Sequence, residues 1–138
     1  MVSKHCKNYF ENEVLSATKE KIVQLVYDKV LITLNLAVKK LEEKNIVEAH
    51  NNIIKAEIII FHLMNHLDFK AGQISNNLFK VYEYALYQLK QANIKKDIEI
   101  IKNVIDIFKE LNEAWKFVNV EKVKGKGNKE NESLNYSV

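Results

Sequence analysis

His62 and His66 stand four residues apart, the spacing that brings two imidazoles onto one face of a helix, where they could share a metal ion. A zinc site needs a third and fourth ligand with partners behind them, and the neighbours do not supply these. Leu63 follows His62 where a zinc protease would carry its glutamate, His50 falls on another side of the wheel, and Lys55 shares the histidines' strip and would repel a cation. Nucleophilic chemistry fares no better. The lone Cys6 lies in a polar N-terminal arm, and there is no Gly-x-Ser-x-Gly elbow and no glycine-rich phosphate loop. Glu42, Glu43, Glu110 and Glu113 fall on solvated faces, and no inward Glu-x-x-His array suggests a di-metal bundle. The expectation is therefore a chain with no catalytic residues, no cofactor and no metal: not an enzyme.

Composition narrows the class further. The chain has 138 residues, enough for one domain with its own core. Its net charge is only +3, and all 21 basic residues are lysine. Without arginine it lacks the bidentate forks that read bases, so no nucleic acid is expected as a partner. Tyr82, Tyr84 and Tyr87 could stack on bases, but Tyr82 reads as core and the others as amphipathic surface. No run approaches ~18 uncharged apolar residues, so no membrane span is expected. A single cysteine and no secretory signal point to the cytoplasm.

The elements that would position these residues are helices. The sequence has no proline and three glycines, and four long segments repeat apolar residues with a helical period. They run over about 18–44, 46–69, 75–91 and 96–118. Thr18, Asn45 and Ser75 are the expected N-caps, with Glu48 three residues after Asn45 and Asp97 near the start of the last helix. Short links make sequential helices antiparallel neighbours. The predicted fold is all-α: an antiparallel up-down four-helix bundle over 18–118, after an N-terminal arm or short helix (1–17) and before a disordered C-terminal tail (119–138). The lysines at 122, 124, 126 and 129 read as part of that solvated tail.

Two of the helices carry more apolar surface than one core can use. In the last helix Ile100, Val104, Ile107, Phe108, Leu111 and Trp115 share one face. The second helix has a core stripe of Ala49, Ile53, Ala56, Ile60, Leu63 and Leu67, and nearly opposite it Val47, Ile54, Ile58 and Phe61. The first repeats this, with Leu25, Ile32 and Leu36 behind the face made by Val23, Val26, Val30, Leu34, Ala37 and Leu41. Each large side chain left in water forgoes ~1.5–3 kcal/mol. Either crowding in the bundle or the N-terminal arm covers these stripes, or another chain does.

Several segments, in order, resemble the flagellin export chaperones, the FliS family. The arm and first helix contain Tyr9, Val14, Ala17-Thr18 and Val26-Tyr27-Asp28, similar to the family's Tyr, Val, Ala-Thr and Leu-Tyr-Asp. "NNIIKAEIIIFHLMNHLD", "LFKVYEYALYQLKQANIKKD" and "LNEAWK" resemble its later helices, and together the likeness spans about residues 8–116. Lys19, Val26 and Gln73 depart from the usual Pro, Leu and second Gly, at a helix start, a core position and a loop. The resemblance implies a cytoplasmic chaperone that binds the C-terminal segment of flagellin, prevents its premature polymerisation and keeps it competent for flagellar type III export, with the export apparatus as a further partner. Joined to the stripes, it makes Leu25, Ile32, Leu36, Val47, Ile54, Ile58 and Phe61 candidate partner contacts. It also makes Tyr9, Val14 and Leu15 the arm residues that cover part of the site when no client is bound. A monomer or weak homodimer is expected. The alternative is a regulatory bundle that sequesters another flagellar or anti-sigma protein.

Overall fold

Asn45 shows how local sequence sets an element boundary. Its side chain accepts a hydrogen bond from the Glu48 amide at 3.2 Å, satisfying one of the free N–H groups that open a helix. The computed structural model describes residues 19–125, with side chains over 21–117. These form α1 (Lys19–Glu42), α2 (Ile46–Asn65), a short 3-10 turn (Phe69–Ala71), α3 (Gln73–Lys95) and α4 (Ile98–Gly125), with no strand among the described residues. Thr18 lies outside them. α1 packs on α2 and α4, and α3 packs on the same two helices, so the four close a ring in chain order around one core. This is the expected all-α, up-down four-helix bundle.

Several boundaries differ from expectation, among them the end of α3, which runs to Lys95 rather than stopping near 91. α2 stops at Asn65, and the next residues turn into the 3-10 segment because Asp68 caps it, accepting from the Lys70 amide at 2.9 Å. Ser75 does not cap α3. The helix starts at Gln73 behind Gly72, and buried Ser75 sends its hydroxyl back to the Asp68 carbonyl at 2.6 Å. Gly72 has φ +80° and ψ −134°, a region open to glycine alone. Finally, α4 runs to Gly125, seven residues past the expected end at 118.

The α1–α2 link closes by a Schellman motif. The Asn45 amide donates to the Lys40 carbonyl at 2.8 Å and the Lys44 amide to the Leu41 carbonyl at 3.0 Å. Lys44 itself sits at φ +61°, a left-handed conformation that costs a residue with a Cβ about 1–2 kcal/mol. Glycine removes that cost but loses about 0.4–1 kcal/mol through the freer unfolded chain. Lys44→Gly is thus expected to stabilise the bundle by roughly 0.5–1 kcal/mol, read as a higher urea midpoint at unchanged slope.

The core is aliphatic at most levels and aromatic at one. Tyr27, Tyr82 and Phe108 are fully buried, with Phe108 edge-on to Tyr27 at 5.6 Å and stacked with Tyr82 at 6.2 Å between ring centres. Burying the hydroxyls would be costly unless they were paired, and they are. Tyr27 and Tyr82 share a 2.6 Å O–H···O bond, and the Trp115 indole N–H donates to the Tyr27 oxygen at 3.0 Å. One polar chain thus ties α1, α3 and α4 together at the centre.

Burial pushes the Tyr27 hydroxyl up to about 12, against the hydrogen bonds from Tyr82 and Trp115, and holds Tyr82 higher still. Both stay protonated where an unfolded tyrosine ionises, near ~10. The folded state therefore binds more protons than the unfolded one above pH ~10, and its stability falls as pH rises from there. An ultraviolet titration of the six tyrosines should show two ionising only as the fold is lost, while circular dichroism stays native through the first phase.

α4 also corrects the wheel. Ile101 and Ile105 are in the core with Val104, Phe108 and Trp115, whereas Ile100, Ile107 and Leu111 are partly buried at its margin. The helix is rotated so that Asn112 reaches α1, donating to the Asp28 carboxylate at 2.8 Å. In α1, Val26 likewise packs at the margin of the core rather than within it.

Candidate functional site

The three consecutive isoleucines of α2 separate its two faces. Ile60 is fully buried, Ile59 packs at the core's edge, and Ile58 remains 53% exposed. At ~100° per residue the exposed position recurs at Val47, Ile54, Ile58 and Phe61, and all four are exposed. From first to last they span 14 residues, ~21 Å along the helix at 1.5 Å per residue. On α1, Ile32 and Leu36 are exposed and Leu25 is half-buried. α1 and α2 are ring neighbours, so six exposed apolar side chains lie on two adjacent helices.

A hollow of about 600 Å³ on α1 is lined by Asp28, Leu31, Ile32, Asn35, Leu36 and Lys39, and so includes two of these residues. A second apolar surface was not anticipated. Val81 and Tyr84 of α3 face Ile107 and Leu111 of α4 across a groove of about 530 Å³, rimmed by Lys80 and Glu110. The sequence places Ile107 and Leu111 on the same face as Val104, Phe108 and Trp115, and the structure leaves them partly buried at the core's margin. The signal that could have found the groove is the surplus of apolar residues on α4, more than one stripe can bury. Tyr9, Val14 and Leu15 lie outside the described residues, as does Cys6.

The histidines have local roles. His62 and His66 are exposed, with ring centres 6.4 Å apart, and His66 Nδ1 bonds the His62 carbonyl at 2.7 Å, so it serves the end of α2. His50 Nδ1 lies 3.0 Å from Nδ2 of Asn93, linking α2 to α3. Among the described residues no three His, Cys, Asp or Glu gather in a way that could hold a metal ion. Glu57 lies beside this link; burial raises its pKa above the ordinary carboxylate value, and Lys90 and His50 partly offset that. No described helix is long and apolar enough to cross a membrane.

Fold and surface together define a class: an all-helical bundle with a filled core that keeps further apolar helix faces outside it, the form suited to docking segments of other chains. Comparison with known proteins gives that class a name. The chain belongs to the flagellar protein FliS family, whose model matches residues 2–122, and the curated relatives in that family are flagellar secretion chaperones. It is similar to the flagellar secretion chaperone FliS of Salmonella typhimurium, with 32% identity over 108 residues, 77% of this chain and 80% of that one. It is similar also to the flagellar secretion chaperone FliS of Bacillus subtilis, at 30% identity over 78% of this chain and 80% of that one. A crystal structure of a flagellar chaperone from bacteria superposes with a TM-score of 0.73 over 86% of this chain and 97% of its own. At 14% identity that likeness is one of fold.

Proposed function

We propose that this chaperone binds the C-terminal segment of flagellin in the cytoplasm, masks the apolar faces that flagellins use on one another, and hands the subunit to the flagellar export apparatus unpolymerised. The observation that carries this is the row of Val47, Ile54, Ile58 and Phe61, exposed along one side of α2 next to Ile32 and Leu36 of α1. Leaving six such side chains in water is costly, and an amphipathic helix laid on them recovers the burial. A client segment disordered when free must also offset its ordering entropy, which favours a long apolar contact over a small pocket. Masking of this kind needs no nucleotide and no metal. We further propose that Tyr9, Val14 and Leu15, which lie outside the described residues, cover part of the face in the free protein, so deleting residues 1–17 is expected to tighten binding of an isolated client peptide.

Co-purification from the native cytosol tests the reading. Flagellin is expected as the main partner at one to one, and calorimetric titration with its C-terminal segment should give saturable binding with a negative heat-capacity change. A main partner other than flagellin, such as an anti-sigma protein, would overturn the proposal in favour of a regulatory role.

A further inference from the structure

At mid-height the seam between the apolar faces of α1 and α2 carries positive charge, with Glu48 on the same flank two turns nearer the α1–α2 loop. The bond from Asn112 to Asp28 marks the edge of α1 that looks toward α4, so Lys29, ~100° further round, lies on the edge toward α2. On α2, His50 and Glu57 mark the edge toward α3, through Asn93 and Lys90. Lys55 and His62 fall on the other flank of the exposed stripe, the flank toward α1. Counted from the turn at Lys44, Lys29 and Lys55 differ in height by four residues, ~6 Å along the bundle.

Both lysines are exposed, and neither makes an ion pair among the described residues. The carboxylates at these heights do not face them. Asp28 is turned to Asn112 on one side, and Glu57 to the charge of Lys90 on the other. A segment lying across both apolar stripes must therefore cross a strip holding two ammonium groups and an imidazole. Covering them with apolar atoms would strip their water without return, whereas carboxylates would meet them.

We propose that the partner seated on α1 and α2 is an amphipathic helix whose apolar stripe is flanked by Asp or Glu, and that Lys29 and Lys55 select it by pairing with those carboxylates. This rests on the assignment of the α1–α2 face as the client site, but specifies chemistry that flagellin binding alone does not. Two synthetic helical peptides of equal length and identical leucine stripe, one flanked by Glu and one by Lys, would be titrated by fluorescence anisotropy. The Glu-flanked peptide should bind about 10-fold tighter, within the roughly 2- to 30-fold range that two exposed ion pairs supply. The preference should shrink at ~0.5 M salt and in the double variant Lys29→Gln, Lys55→Gln, which keeps the stems and removes the charge. Equal affinities, binding of neither peptide, or a preference undiminished in the double variant would each overturn the inference. Failure to recover flagellin from cytosol would instead overturn the identity of the client and leave the peptide preference standing.

Discussion

Replacing Ile58 and Phe61 together with aspartate should weaken binding of the flagellin C-terminal segment by at least about 100-fold while leaving the bundle folded. Each side chain is about half exposed in the free protein, 53% and 54%, so each has burial left to gain from a partner. Full burial of such a residue is worth ~1.5–3 kcal/mol, so the half still in water is worth ~0.75–1.5 kcal/mol for each and ~1.5–3 kcal/mol for the two, where every 1.4 kcal/mol is tenfold in affinity. Aspartate adds the cost of drying a carboxylate against apolar atoms. Neither residue belongs to the core cluster, so the change in folding stability should stay within roughly 0.5 kcal/mol per site. Calorimetry of the client segment against both proteins, with melting curves alongside, is the measurement. Unchanged affinity with the fold intact would remove this face from the client site.

The second large effect concerns stability. Trp115→Ala should cost about 3–5 kcal/mol, a substantial part of what holds a domain of this size together. The indole is buried beside Tyr27 and donates to its hydroxyl, so truncation opens a cavity and leaves the Tyr27–Tyr82 pair short of a donor. Phe117, two residues on, offers the contrast: it is 66% exposed, and Phe117→Ala should change stability by no more than roughly 0.5 kcal/mol. Urea unfolding of the two variants separates a role in the core from a general effect of losing an aromatic ring from α4.

Much of this was legible along the chain because helices are local. Asn45 and Glu48 sit three apart and mark the start of α2 wherever that helix packs. The order Ile58, Ile59, Ile60 maps to outside, edge and inside through the 100° step alone, and burial follows that order. α4 was harder for a definable reason. Ile98, Ile100, Ile101, Val104, Ile105 and Ile107 leave several neighbouring directions almost equally apolar, so periodicity gives a helix but not its rotation. The rotation came from partners, Asn112 on Asp28 and Trp115 on Tyr27. Ser75 misled because a serine before an apolar run resembles a cap. Its hydroxyl instead reaches back seven residues to Asp68 across a turn that Gly72 makes possible.

From the sequence by itself came the helices, their order, their antiparallel pairing through short links, and the presence of two apolar faces on α1 and α2. All of these depend on residues within a turn or a loop of one another. The tertiary structure alone decided which way α4 is turned, and that Tyr27 and Tyr82 share a hydrogen bond across 55 residues with Trp115 beside them. Those outcomes depend on side chains brought together from distant parts of the chain, and a periodic pattern within one helix carries no information about the helix it will meet.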